Sequence, residues 1–169
     1  MNAIAPSLAS QSSQSAFDVS VLARVIASNQ SLDALHMPLP MAQWTTLAQY
    51  MQAFTLPAGQ VLMQQGAHDR SIYLIESGAL SVHFEDGRQR LRLAIVSAGS
   101  VVGEGAFFSH QPRSATVQAS GDCTLWCLTP MRFTELTNRH PGIALVLVQA
   151  LGGVLARRGL NKPKRTAIT

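Results

Sequence analysis

The feature that most constrains the fold is an alternation of apolar and polar side chains, with a period of two, that dominates residues 55–128. Short strands are predicted over residues 71–75, 80–85, 90–95, 114–119 and 124–128. Asp86 and Gly87 between two of them are a strong signal for a short hairpin. Glycines at turn positions separate the strands: Gly59, Gly66, Gly78, Gly87, Gly99 and Gly121. Many short strands with frequent turns predict a β-sandwich or a jelly-roll barrel.

Helical spacing of apolar residues precedes this β region. The face of the first predicted helix comprises Val19, Leu22, Val25 and Ile26. Either Asp18 or Ser20 is positioned to cap its N-terminus. A second helix is predicted to open after Pro38 and Pro40. These helices carry no visible chemistry and are expected to brace the β region.

Two further helices are predicted after the β region. Thr129 and Pro130 form an N-cap and first-turn pair for the first of them. The last helix runs from about residue 142 to residue 158 and is apolar on nearly every side over residues 143–155. Such a helix is expected to be buried against the β structure, against a second subunit, or against both.

Composition predicts a folded, soluble chain. Of the 169 residues, 47% are hydrophobic and 13% are charged, which supplies a core and excludes an intrinsically disordered chain. No run approaches about 18 consecutive apolar residues, so no membrane span is expected. Residues 1–15 lack the basic start and the apolar block of a secretory signal. We therefore expect a cytoplasmic protein.

The net charge of +4 is concentrated at the C-terminus. Five of the 13 basic residues lie there without any acid, namely Arg157, Arg158, Lys162, Lys164 and Arg165. The remainder of the chain holds eight basic against nine acidic residues. The basic end is therefore either a solvated tail or a weak contact for an acidic partner or a membrane surface.

Residues 101–115 interrupt the strands with a turn that carries candidate chemistry. A helix is predicted to begin at Glu104, and the free backbone N–H groups of such a turn suit an anion. Arg113 follows nine residues later, at the start of the next strand. Arginine binds phosphate in a bidentate manner, and a carboxylate accepts hydrogen bonds from sugar hydroxyls. From these residues alone, two interpretations stay open: a site for a hydroxyl-bearing phosphate ester, or an ion pair that ties the loop to the strand.

This segment resembles the phosphate-binding cassette of the cyclic nucleotide-binding domain family, which includes the catabolite activator protein and the regulatory subunits of cyclic-AMP-dependent kinase. The matching cassette residues are Gly103, Glu104, Ala106, Phe107, Arg113, Ser114 and Ala115. Upstream matches are Gly59, Val61, Leu62, Gly66, Tyr73, Ile75, Gly78, Val82, Gly87 and Gly99. Downstream matches are Trp126, Leu128, Phe133, Leu136 and Pro141. The resemblance covers about residues 39–158.

The resemblance implies a mainly β fold with flanking helices, a double-stranded β-helix (jelly-roll) barrel of eight strands with helices at both ends. The expected segments are a disordered N-terminal segment (1–16), a helical N-terminal extension (17–52), the β jelly roll with its cassette (53–128), C-terminal hinge or lid helices (129–160) and a basic tail (161–169). The implied function is a non-catalytic receptor for cyclic AMP or cyclic GMP. Ligand binding would change the arrangement of the C-terminal helices and so regulate a partner protein.

The resemblance also implies a role for each cassette residue. The expected ligand-binding residues are Gly103, Glu104, Gly105, Ala106, Arg113, Ser114 and Ala115. Arg113 would pair with the cyclic phosphate, and Glu104 would accept a hydrogen bond from the ribose 2′-hydroxyl. Gly103 and the N–H groups of Gly105 and Ala106 would complete the cradle.

Two cassette positions leave the ligand undecided. Ser114 stands where the family contacts phosphate or base, but a hydroxyl occurs there in binders of either nucleotide. Gly105 stands where the family usually has Leu, Ile or Met beneath the cassette, so the lost contact lowers affinity or changes the ligand. The alternative function is therefore an interaction module of the same fold that binds no ligand or binds cyclic di-GMP.

Other chemistries lack the residues they require. The five histidines are scattered singly, and Cys123 and Cys127 are too few for a four-ligand metal site, so no metal, cofactor or catalytic residue is predicted. Only a short segment follows Arg158, so a helix-turn-helix module and specific DNA binding are not expected. The expected partners are a cyclic mononucleotide, an effector protein and a second copy bound through the C-terminal helix.

Overall fold

The computed structural model describes residues 17–161. The helices are α1 (Val19–Ser28), α2 (Met41–Ala48), α3 (Glu104–Ser109), α4 (Pro130–Arg139) and α5 (Pro141–Leu160). The strands are β1 (Gln52–Leu56), β2 (Val61–Met63), β3 (Ile72–Ser77), β4 (Ala79–Glu85), β5 (Arg90–Ser97), β6 (Val101–Val102), β7 (Thr116–Ala119) and β8 (Cys123–Leu128). The expected N-terminal disorder and all of the basic tail beyond Asn161 lie outside the described residues.

The eight strands form two antiparallel four-stranded sheets. One sheet has the order β1-β8-β3-β6, and the other has the order β2-β7-β4-β5. A mainly β fold with eight strands and flanking helices is therefore confirmed. The two sheets are not closed into a barrel, so β2 and β5 remain the edges of the second sheet.

The first sheet is covered on both faces, because successive residues of a strand point to opposite sides. On β8, Leu125 packs into a cluster between the sheets, together with Leu80 and Val117 of the second sheet. Trp126 and Leu128 pack on the other face, into the larger cluster that holds the helices. The helices are thus anchored on the sheet that carries β6, directly before the cassette.

Both predicted helix caps are present. Asp18 caps α1, since its carboxylate accepts a hydrogen bond from the Ser20 backbone N–H at 2.9 Å. Thr129 caps α4, and its hydroxyl accepts a hydrogen bond from the backbone N–H of Arg132 at 3.3 Å. Pro130 occupies the first turn of α4, as its fixed φ favours.

Helix α5 is buried on one face and exposed on another. Its buried residues are Ile143, Ala144, Leu147, Ala150, Leu151 and Val154. By length and composition alone, this helix is also apolar enough to cross a membrane, with a mean hydropathy of 1.5. The six buried residues all belong to the larger core cluster, and 33% of the most apolar 18-residue window of the helix is buried.

The hairpin of β4 and β5 differs from its prediction in two details. The turn comprises residues 86–89, and the Asp86 carboxylate accepts backbone N–H bonds from Arg88 and Gln89. Ala94 and Arg92 pair with the consecutive residues Val82 and His83, which leaves Leu93 as a bulge. The strict alternation that the sequence shows over residues 90–95 is therefore broken at Leu93.

Candidate functional site

The turn between β6 and α3 depends on Gly103. This residue has a φ of +95° at the N-cap of α3. A Cβ there would lie 2.6 Å from the Ser71 carbonyl oxygen and 2.7 Å from Nη1 of Arg113. No other residue fits this turn, since both the backbone conformation and the space exclude a side chain.

Helix α3 begins at Glu104, where the sequence predicted it. The first N–H groups of any helix have no partner within that helix, and here they belong to Glu104, Gly105 and Ala106. The Phe107 N–H donates to the Gly103 carbonyl at 3.2 Å. A Cβ at Gly105 would meet nothing within 4 Å, so the packing contact expected of the family at this position is absent.

Arg113 is buried, with 3% of its surface exposed. Its guanidinium donates from Nε and Nη2 to the two carboxylate oxygens of Asp69, at 3.2 and 2.5 Å. It also donates from Nη2 to the Ser71 carbonyl at 2.7 Å and from Nη1 to the Gly103 carbonyl at 3.2 Å. These bonds use four of its five N–H groups, and the second N–H of Nη1 has no acceptor among the described residues.

The loop between β2 and β3 also holds the backbone of Arg113. The Gly66 N–H donates to the Arg113 carbonyl, and the Arg113 N–H donates to the Ala67 carbonyl, both at 2.8 Å. The same loop is fixed to β4, because the Gln65 side chain donates to the Glu85 carbonyl and accepts from the Glu85 N–H. Arg113 is therefore positioned from two sides by one short loop.

The Asp69 carboxylate is ionised under ordinary conditions. The hydrogen bond from Arg113 holds the pKa of Asp69 below its usual value and outweighs the opposing effect of burial. A charge-assisted bidentate pair of this kind fixes the plane of the guanidinium as well as its position.

Glu104 is buried, with 7% of its surface exposed, and its partner lies on the last turns of α5. Arg158 donates from Nη1 to Oε1 of Glu104 at 2.7 Å. The Arg158 guanidinium also donates to Asp33 at 3.2 Å, to the Ser100 hydroxyl at 3.3 Å and to the Val101 carbonyl at 2.9 Å. Burial alone lowers the pKa of Arg158, but the carboxylates of Glu104 and Asp33 raise it above its usual range.

The second carboxylate oxygen of Glu104, Oε2, accepts no hydrogen bond from the described residues. Within residues 17–161, no buried side-chain nitrogen or oxygen lacks a partner, so this oxygen is in contact with solvent. Glu104 thus has one oxygen fixed by Arg158 and one that is free to accept.

Glu104 and Arg113 do not pair with each other. Glu104 pairs with Arg158, and Arg113 pairs with Asp69. The ion pair between loop and strand that the sequence left open is therefore not formed. Glu104 instead keeps Oε2 unused, and Arg113 keeps one N–H of Nη1 unused.

The remaining predicted site residues lie beside these groups. Ala115 is buried, and Ser114 is exposed next to Arg113. The structure brings Gly103 and Arg113 into contact, with α3 beginning at the next residue. Ser114 donates and accepts no side-chain hydrogen bond within the described part of the chain.

Sequence reasoning missed Asp69, Ser71 and Arg158. Asp69 had only one signal, an acid in a loop directly before a predicted strand. The prediction of a solvated basic end is wrong at its start, because Arg158 is ion-paired and Arg157 donates to the carbonyls of Leu32 and Ala34.

Comparisons with known proteins agree on one family. The sequence pattern described as cyclic nucleotide-binding domain matches residues 53–140. A cAMP-dependent protein kinase regulatory subunit from Blastocladiella emersonii is 32% identical over 99 residues, which is 58% of this chain and 25% of that protein. This chain thus spans about a quarter of the length of that relative.

Solved structures share the fold. A cyclic nucleotide-binding domain from Methylobacillus flagellatus superposes with a TM-score of 0.73 at 20% identity, over 84% of this chain and 80% of that one. The catabolite activator protein of Thermus thermophilus superposes with a TM-score of 0.64 at 27% identity, over 75% of this chain and 60% of that one.

Proposed function

Because the chain belongs to the cyclic nucleotide-binding domain family, we propose that it is a non-catalytic receptor for a cyclic mononucleotide, cyclic AMP or cyclic GMP. One observation carries the proposal. Glu104 and Arg113 are each held by bonds within the chain, and each retains one unused polar atom, Oε2 and an Nη1 N–H. A fixed acceptor and a fixed donor of this kind suit a ligand that offers a hydroxyl and an anionic phosphate together.

Each cassette residue has a role in this proposal. The free Nη1 N–H of Arg113 donates to a phosphate oxygen, and the N–H groups of Gly105 and Ala106 add neutral donors. Oε2 of Glu104 accepts from the ribose 2′-hydroxyl. Gly103 keeps the turn open, as its crowded surroundings require. Ser114 and Ala115 border the phosphate directly before β7.

The ligand would act on α5 through Glu104. Arg158 fixes the Glu104 carboxylate from the end of α5, so a docked α5 presents Oε2 in a defined position. A ligand that uses this oxygen binds better when α5 is docked, and by linkage it stabilises the docked arrangement. Binding would therefore shift the C-terminal helices towards the docked arrangement, and this shift would regulate an effector protein in the cytoplasm.

The exposed face of α5 supports self-association. Its residues recur at alternating spacings of three and four: Leu145, Leu155 and Gly159, which are exposed, and Val148 and Gly152, which are half-buried. A Cβ at Gly152 or Gly159 would meet nothing within 4 Å, so packing within the chain does not require these glycines. We propose that two copies pack along this stripe as a homodimer, which Leu145→Asp would dissociate in light scattering.

The proposed function is tested by thermal unfolding with cyclic AMP, cyclic GMP and cyclic di-GMP, followed by calorimetric titration. The matched control is 5′-AMP, which lacks the cyclic ester. A true ligand at 100 times its Kd adds about 2.7 kcal/mol to the free energy of unfolding. Chromatography should recover the nucleotide unchanged, since no turnover is proposed.

Two results would contradict the proposal. A shift with cyclic di-GMP alone would identify the alternative ligand. No shift with any of the three nucleotides would favour the interaction module that lacks a ligand.

A further inference from the structure

The edge strand β5 is exposed along nearly its whole length. It is the longest strand at eight residues, and seven of them are exposed. Three large apolar side chains are about half exposed: Leu91 at 54%, Leu93 at 52% and Ile95 at 52%. A long apolar edge is a site where another chain can pair or pack, so its surroundings indicate which chain fits.

The surroundings of this strand are basic. Residues 88–92 carry Arg88, Arg90 and Arg92 and no acid. Glu85 pairs with Arg90 at 3.6 Å. The Asp86 carboxylate accepts the turn N–H groups. Among the described residues, Arg88 and Arg92 therefore have no acidic partner.

A neighbouring histidine responds to the same charges. His83 lies opposite Arg92 in the hairpin. Burial lowers the pKa of His83 first, and the charges of Arg90 and Arg92 lower it further. Glu85 opposes this effect, but the three arginines of the hairpin outnumber Glu85 and Asp86, so its charged side chains carry a net charge of +1.

The positive charge of the arginines indicates which kind of chain can pair with the free edge of β5. Two copies of β5 side by side would bring their arginines close together, and like charges on neighbouring strands are destabilising. An acidic chain is attracted by the same arginines. Up to the bulge at Leu93, residues 88–92 carry basic side chains at every second position, with Leu91 between Arg90 and Arg92, so the partner that matches this stretch alternates acidic and apolar residues.

We propose that β5 docks an extended acidic segment of a partner protein. Its carboxylates reach Arg88 and Arg92, and its apolar side chains cover Leu91 and the bulged Leu93. Such a partner would be an effector in the sense of the proposed function, but docking on β5 requires no nucleotide.

The test uses fluorescence anisotropy with the full chain and no nucleotide. One labelled peptide alternates glutamate with valine, and its counterpart has lysine in place of each glutamate. The glutamate peptide should bind at least about tenfold more tightly, and its affinity should fall as salt is raised.

Variants locate the binding surface. Arg92→Glu and Leu93→Asp should each weaken binding of the glutamate peptide by at least about tenfold, whereas Arg92→Lys should retain it. The matched controls are Arg24→Glu on α1 and Met131→Asp on α4, at residues that are also exposed, and these should bind like the parent. Thermal unfolding of each variant confirms that it is folded.

Three outcomes would overturn the proposal. Equal affinity for the two peptides would remove the role of charge. Equal losses in the controls would remove β5 as the location. A dimer that Leu93→Asp dissociates in light scattering would assign the edge to a second copy of the chain.

Discussion

The two charged residues of the candidate site are held by different parts of the molecule. Arg113 is fixed from within the β region, by Asp69 and by the backbone of the same loop. Glu104 is fixed by Arg158, which lies 54 residues further along the chain on the last turns of α5. The first arrangement persists whenever the β region is folded, whereas the second persists only while α5 is docked.

In the proposed function, this difference would give the two residues separate tasks. A donor that is fixed locally supplies affinity, because it is preorganised in every arrangement of the helices. An acceptor that is fixed by a distant helix supplies the connection between ligand and response, because its geometry changes with that helix. The following predictions compare the two.

Arg158→Met should have the largest effect on stability. It leaves the buried Glu104 carboxylate unpaired, and loss of one partner of a buried pair costs about 3–5 kcal/mol in the free energy of unfolding. Urea denaturation measures this loss. Arg139→Met is the matched control, since Arg139 and Glu135 form an exposed pair at 3.9 Å that contributes at most about 1 kcal/mol.

The double variant Glu104→Gln, Arg158→Met isolates the pair. Removing both charges should restore most of the stability that Arg158→Met loses. The affinity for the nucleotide should stay below that of the parent, because the Glu104 carboxylate is absent. A single Arg158→Met variant as stable as the parent would show that α5 does not hold Glu104.

Arg113→Ala should have the largest effect on affinity. The lost charge-assisted bond to phosphate is worth about 1.5–3 kcal/mol, or roughly 10- to 150-fold in Kd. Calorimetry with the nucleotide that stabilises the parent measures the change. The control is Arg92→Ala, at an exposed arginine of the second sheet, which should bind that nucleotide with the parent's Kd. An unchanged affinity in Arg113→Ala would remove Arg113 from the site.

Asp69→Asn should have a smaller effect of the same kind. The amide keeps the size of the side chain but loses the charge that orients the guanidinium, so affinity should fall by about threefold to tenfold. Asp122→Asn is the matched control, because Asp122 is an exposed loop acid that accepts one N–H bond at 2.9 Å. Equal affinities of the parent and Asp69→Asn would show that the backbone bonds alone position Arg113.

The smallest expected effect is a fall in the free energy of unfolding at acidic pH. The folded-state pKa of Asp69 is below its unfolded value, so its contribution to stability is fully present above the unfolded pKa, which is about 4 for an aspartate. That contribution is lost as the pH falls through the lower folded-state value. Unfolding followed from about pH 5 downwards should show a loss that Asp69→Asn lacks, and identical profiles would contradict this role.

The sequence predicts the turn at Gly103 and the start of α3 at Glu104, because both depend on residues that are close along the chain. Gly103, Glu104 and Arg113 lie within 11 consecutive residues, where the glycine turn and the helix start each have a local signal. The partners Asp69 and Arg158 could not be predicted, since their contacts depend on how the loop and α5 pack. The same applies to the bulge at Leu93, because register depends on the neighbouring strand.

The most direct test of the two-residue site compares the ligand with its 2′-deoxy analogue in calorimetric titrations. Parent protein should bind the 2′-deoxy nucleotide about 10- to 150-fold more weakly, because the hydrogen bond to the Glu104 carboxylate is lost. In Glu104→Ala, the two nucleotides should bind with nearly equal Kd, whereas Arg113→Ala should preserve their difference. Equal binding of both nucleotides by the parent would contradict the proposed role of Glu104 and, with it, the connection from ligand to α5.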